Sequence, residues 1–492
     1  MAGPHHRGFV IGVGGCTVVA VAGLSWPEVL ASGALGFVAL VLKWLDWFFL
    51  ATVGGFVVLS IWLALGRHGK RRLGDEPAEF SRWGWWAMLF AAGMGSGLMF
   101  WGVAEPISHY VAPPVAVPRS AAAARHALVL ADFHWGLHAW AIYCIAALVL
   151  AYFRFRHGTD YVPGAPLRSA FRGRWVDPVA KLADLVGVLA IAFGVAGAMG
   201  MGVLQMRSGL AVVLDRPLDS SAFAFAILGA LTIAYMASAS GPIERGIQWL
   251  STFNVVLAVA FVGSLCVLGP TGTIGRELAL SSVDYVRELF ALTLLLEPWN
   301  DLGAWVDEWT LGYMIWWIAW APFVGVFVAR ISQGRTIREF VAGVVFVPTL
   351  VSMVWFAVLG CTGIELEREG GQLAPLVASD VSRALFVVLG ELPGTQAMSA
   401  LALVLVFVFL VTSVDSATYV LGMISSGGES KPPLGHKFAW GITLALLAAA
   451  LVSAGHVDVI KAVAILGAIP FTAILLLQSA ALLRALSREP KD

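Results

Sequence analysis

The feature that most constrains this chain is a succession of long apolar runs. Twelve are read, at 8–25, 44–66, 84–110, 131–153, 179–210, 220–238, 248–269, 311–329, 340–363, 397–423, 437–455 and 459–484, with short polar stretches between them. Crossing the hydrocarbon of a bilayer takes about 20 apolar residues in a helix. In lipid, only helices or closed barrels satisfy their own backbone groups. Runs of this length predict an all-α integral membrane protein with twelve transmembrane helices. Only 13% of the 492 residues are charged, about half the share of an ordinary soluble domain. Thirty-one basic residues balance thirty-one acidic ones, so no long-range field draws a nucleic acid. Four Cys without C-x-x-C spacing give no disulfide framework or zinc site. A soluble enzyme, a nucleic-acid binder and a secreted mini-domain are excluded.

Arg7 followed by the run from Gly8 also has the outline of a signal peptide, but no small-x-small cleavage site follows. Basic residues collect in alternate loops, among them Arg71, Arg72, Arg154, Arg156, Arg168, Arg172, Arg330, Arg335 and Arg338. The positive-inside bias predicts both termini in the cytoplasm and a chain integral to the plasma (inner) membrane. From Ser281 to Glu308 the pattern is amphipathic, which predicts a helix lying in the outer interface or a contact between subunits.

Two runs are interrupted. In the third, Gly93, Gly95 and Gly97 alternate with Met94 and Ser96, and each Gly weakens a helix by about 1 kcal/mol relative to Ala. Unwound backbone at membrane depth lines a buried or wet cavity; close helix packing through small residues is the other reading. In the eighth, Pro322 removes a backbone donor and predicts a kink. Breaks at corresponding places in two halves point to the midplane site of an inverted-repeat transporter. The resulting division is 1–82 (two outer spans), 83–270 (first five-span repeat), 271–309 (outer amphipathic segment) and 310–486 (second five-span repeat).

Aromatic residues cluster beside these breaks. At about 100° per residue, Trp135, Trp140 and Tyr143 share one face of the fourth run, and Trp316, Trp317 and Trp320 one face of the eighth. Membrane-belt anchoring is the bland reading of such residues. A cage for a quaternary ammonium is the sharper one: such a group has charge but no N–H, so ring faces hold it where hydrogen bonds cannot. His134 and His138 lack the company of a metal motif and read as hydrogen-bonded helix histidines. Glu105 and Asp415 are intramembrane carboxylates, for which hydrogen-bonding roles are expected. No nucleophile–base set suggests an enzyme.

Together these residues resemble the betaine/choline/carnitine transporter family. The likeness runs from Asp46-Trp47-Phe48-Phe49 to the eleventh run and is most specific over Gly93–Pro106 and over Trp309-Thr310, Tyr313, Trp316–Gly325 and Ala329–Phe340. The resemblance implies a leucine-transporter-like core of five plus five inverted spans, a homotrimer, and uptake of a betaine-like zwitterion by alternating access. It implies an aromatic box of Trp135, Trp140, Tyr143 and Trp317, with Trp320 as a transient contact. The substrate carboxylate would face the unwound backbone at Met94, Gly95, Ser96 and Gly97. It further implies no cofactor beyond a coupling sodium ion, held by backbone oxygens of Ala91, Met94 and Phe409 and the hydroxyls of Thr412 and Ser413. Asn254 belongs to a possible second ion site. Val255 stands where sodium-independent exchangers of the family place Arg, which favours ion coupling over the alternative of proton-coupled or ion-independent exchange. Gly97 replaces the Asp of choline-type members and favours a zwitterion. Ser96, Gly312, Met314, Ala319 and Ala321 depart from the family pattern and bear on pocket shape. The short tails predict transport without strong osmotic gating.

Overall fold

The computed structural model describes residues 4–93, 95–240, 243–294, 302–455 and 457–489. These residues are almost entirely helical, with a lone antiparallel bridge between Arg72 and Thr336. The helices are α1 (Pro4–Ser25), α2 (Pro27–Leu65), α3 (Arg82–Gly93), α4 (Ser96–Val111), α5 (Ala121–Trp135), α6 (Leu137–His157), α7 (Val176–Leu214), α8 (Ser221–Ser240), α9 (Ile243–Leu268), α10 (Thr271–Thr293), α11 (Gly303–Arg330), α12 (Ile337–Arg368), α13 (Thr395–Ser425), α14 (Leu434–Ala454) and α15 (Val457–Arg488). Among the described residues, ten helical segments, with α5 and α6 taken as one, are long and apolar enough to cross a membrane; α9 and α10 together add an eleventh candidate, bent by 112°. The third apolar run is two helices of 12 and 16 residues, α3 and α4, parted at the expected glycine-rich break.

Three local expectations can be compared with the structure. The amphipathic helix begins at Thr271, the boundary read for the outer segment and ahead of the amphipathic pattern at 281, where Gly269 and Pro270 turn the chain. It ends at Thr293, and the end of the expected segment belongs to α11; residues 295–301 lie outside the described residues. The fourth run is not one helix. It breaks at Gly136 (φ −99°, ψ −130°), between α5 and α6. The eighth run continues as helix through Pro322, and its irregular backbone lies earlier, as a π-helical turn over Val306–Leu311. Such turns recur at functional sites.

Lipid gives helices little reason to associate through apolar area alone, so close packing has to bring them together. Small residues provide it between α7 and α15. A Cβ on Gly467 would lie 2.7 Å from the Ala190 Cα, and one on Gly197 would lie 3.2 Å from the Ala464 Cβ. α6 lies along α11, and α7 along α13 and α15, so the broken α3–α4 run and the aromatic helices converge on one interior. On the polar side, the Thr336 hydroxyl accepts from Glu339 N at 3.1 Å and Arg335 donates to the Glu339 carboxylate at 2.8 Å, which caps α12. Glu489 accepts from Tyr152, Arg156 and Arg71. The basic loop after α2, the end of α6 and the end of α15 are thereby knit on one face.

Candidate substrate-binding site

The site begins where α4 starts. Gly95 has extended backbone, and α4 opens at Ser96 with no side-chain cap, so its first N–H groups and the positive end of a 16-residue helix are directed at the break. Two contacts hold this turn: Trp355 Nε1 donates to Leu98 O at 3.0 Å, and Gln205 Nε2 to Met99 O at 2.7 Å. A narrow cavity of about 40 Å³ lies against the break, lined by Gly95, Ser96 and Gly97, by Trp135 and Tyr143, by Trp316, Trp317 and Trp320, and by Ser413 of α13.

The rings close on one another. Trp135 meets Trp317 edge to face at 4.7 Å between centroids, Tyr143 meets Trp317 at 6.4 Å, and Trp316 stacks on Trp317 at 5.4 Å. The rings leave only a narrow space against the break. Trp140 does not line the cavity; its ring packs edge-on against Tyr143 at 5.4 Å. Trp135 and Tyr143, on either side of the one-residue break at Gly136, both line the cavity.

One buried network positions both central indoles. Trp135 Nε1 donates to Glu105 Oε2 at 2.7 Å. The other carboxylate oxygen takes His134 Nδ1 at 2.7 Å, and His134 Nε2 faces the Thr310 hydroxyl at 3.0 Å. A carboxylate only accepts, so Nδ1 carries the proton and Nε2 accepts from Thr310. Trp317 Nε1 donates to the carbonyl of His134 at 2.8 Å. Glu105 and His134 are fully buried, and the π-helical turn brings Thr310 into reach. Charge-assisted bonds of this kind are about twice as strong as neutral ones. Sequence reading gave Glu105 and His134 hydrogen-bonding roles but did not join them to the box.

Of the proposed ion ligands, Met94 lies outside the described residues and Ala91 falls in the last turn of α3. Thr412 Oγ1 donates to its own helix, with Val408 O at 2.9 Å and Phe409 O at 3.0 Å. Asn254 is buried and its Oδ1 has no hydrogen-bond partner among the described residues. Asp415 accepts from Ser238 at 2.5 Å and ties α13 to α8. His138 pairs with Thr293 at 3.0 Å. A wider cavity, about 730 Å³, lies elsewhere between α5 and α10 and carries Arg125, His126, Asp284 and Glu288. Its lining holds no aromatic cage.

The model of the betaine/carnitine/choline transporter family matches residues 8–491. The chain belongs to that family. The transporter is 37% identical over 475 residues to the glycine betaine transporter OpuD of Bacillus subtilis, which covers 96% of this chain and 92% of that one. It is 39% identical over 451 residues to an ectoine/hydroxyectoine transporter of Virgibacillus pantothenticus, covering 90% and 89%. A solved sodium-coupled sialic acid symporter aligns with 88% of this chain and 86% of its own at a TM-score of 0.43 and 13% identity, a likeness too distant to carry residues across. The protein is an integral membrane transporter, and not an enzyme.

Proposed function

We propose that the transporter imports a betaine-like zwitterion by sodium-coupled symport with alternating access. The observation that carries this reading is the juxtaposition, round one cavity, of ring faces and an uncapped helix start. The rings suit a methylated cation, at about 0.5–2 kcal/mol each. The N–H groups of Ser96 and Gly97 suit the carboxylate. In the open site Trp135, Tyr143 and Trp317 contact the onium group, Trp316 and Trp320 flank its path, and Trp140 backs Tyr143. Gly97 leaves room for this arrangement: a Cβ there would lie 3.1 Å from the Trp135 ring. Sodium binds between α3 and α13, on backbone oxygens of Ala91, Met94 and Phe409 and on Thr412 and Ser413, with Asn254 at a second position. Back-bonding uses the Thr412 proton and leaves its oxygen lone pairs for a hard cation. The same reading takes twelve spans, a five-plus-five core over 83–270 and 310–486, both termini in the cytoplasm and a homotrimer.

Uptake of labelled glycine betaine into proteoliposomes, with external sodium replaced by potassium, tests the coupling. Symport predicts loss of concentrative uptake in potassium and in Thr412→Ala. Undiminished uptake in both would remove the sodium claim. That result would leave the second reading standing, proton-coupled or ion-independent exchange of betaine, carnitine or choline.

A further inference from the structure

His109 completes a buried cluster that the aromatic box does not use. Glu105 and His109 stand one turn apart on α4, an i,i+4 pair on one face, and His134 comes from the last turn of α5. All three side chains are fully buried, and one ligand atom from each lies within 4.8 Å of the others. Neither ring nitrogen of His109 has a hydrogen-bond partner among the described residues. Indoles alone hold the ring, with centroids at 4.5 Å (Trp309) and 5.3 Å (Trp305). A buried imidazole with both nitrogens unpaired is uncommon and points to a ligand. Its Nε2 stands 3.5 Å from Glu105 Oε1, beyond the ordinary hydrogen-bond range. That spacing suits two ligands of one ion: donors about 2.0–2.1 Å from a tetrahedral zinc lie about 3.3 Å apart. The Glu105–His134 pair, now at 2.7 Å, has only to widen to the same spacing.

We propose that Glu105, His109 and His134 form a binding site for one divalent cation of the zinc type. Two imidazoles and a carboxylate are a donor set that suits zinc and its first-row neighbours. His134 has no such company along the chain; the fold brings it from α4. Bonds already present would serve the ion. Trp135 Nε1 holds Glu105 Oε2, which turns Oε1 towards the two histidines. His134 Nε2 faces the Thr310 hydroxyl at 3.0 Å. When the ion binds, the His134 proton leaves Nδ1 and is carried on Nε2, which donates to the Thr310 oxygen. The ring stays neutral, Nδ1 becomes the ligand, and the hydroxyl changes from donor to acceptor, as a hydroxyl can. A metal-binding histidine is commonly oriented in this way by a bond at its other nitrogen. The ion ties α4 to α5 beside Trp135, so under alternating access it slows transport. Only that consequence rests on the proposed transport mechanism.

The test is titration of the purified full chain with zinc chloride, followed to equilibrium because buried ligands admit an ion slowly, and with cobalt chloride as a spectroscopic probe. The site predicts one zinc per chain and the strong visible absorption of cobalt in a low-coordinate site. His109→Phe keeps a ring between Trp305 and Trp309; it should weaken zinc binding at least about tenfold and abolish the cobalt bands. Thr310→Val should weaken binding about tenfold, and Thr310→Ser should restore it. His126→Gln, which breaks the separate His126–Glu288 pair of the wider cavity, should leave stoichiometry and spectrum unchanged. Absence of stoichiometric binding overturns the proposal. So does binding that survives His109→Phe, or that is lost in His126→Gln, which would place the ion in the wider cavity. Metal-free unfolding midpoints confirm that each variant is folded, and His109→Leu replaces His109→Phe if the larger ring is not accepted. Uptake of glycine betaine into proteoliposomes reports on the mechanism separately. Zinc should slow the parent chain and spare His109→Phe; undiminished uptake by the zinc-loaded parent removes the tie between helices, while the titration still decides the site.

Discussion

Glu105 links the adjacent His134 and Trp135 to Trp317, far away in sequence. Its carboxylate fixes the Trp135 indole and His134, whose carbonyl in turn holds Trp317. Replacing it by Leu strands two buried donors, each costing about 1–3 kcal/mol. Glu105→Leu should therefore lower the thermal midpoint and weaken betaine binding together; a variant with native values for both would contradict the network's role. Gly97→Ala places a methyl 3.1 Å from the Trp135 ring. It should weaken betaine binding several-fold, read as a rise in Kd, with little change in the melting midpoint. Unchanged affinity would mean that Trp135 yields freely. Residue types were legible in the sequence because a Trp-rich stretch beside a glycine break is rare. Their partnership with Glu105 was not, since it joins α4, α5 and the π-helical turn of α11 across long separations in sequence.

At the scale of the element, the glycine-rich break between α3 and α4 was readable because several weak helix formers act together. The break at Gly136 was not. A single Gly is tolerated in a helix, and what fixes this one lies elsewhere: the Tyr285 hydroxyl of α10 accepts from Leu137 N at 3.0 Å. A Cβ on Gly136 would lie 2.3 Å from Asp132 O and 2.8 Å from the Tyr285 oxygen. Gly136→Ala should cost stability, seen as a lower unfolding temperature, and should disturb Trp135; a midpoint and affinity like those of the parent chain would show that the break is incidental. Pro322 illustrates the opposite case. The helix runs through it, because loss of one backbone bond is absorbed where neighbouring helices pack closely. Between α7 and α15 the backbones nearly touch at Gly467, so Gly467→Leu should wedge the helices apart and reduce folded yield in detergent.

For the whole molecule, membrane character and helical class followed from run length, which no tertiary contact overrides. The course of α10 did not follow, because its 112° turn from α9 depends on Gly269 and Pro270 in their packed setting. The central claim is that cation–π attraction in the aromatic box selects the solute. Glycine betaine and 3,3-dimethylbutanoate have nearly the same shape and the same carboxylate, but the second has a neutral carbon in place of the charged nitrogen. Competition of each against labelled glycine betaine on the purified transporter, at saturating sodium, measures that charge directly. The account predicts that the neutral analogue binds at least about tenfold more weakly, from several rings at about 0.5–2 kcal/mol each; equal affinities would contradict it.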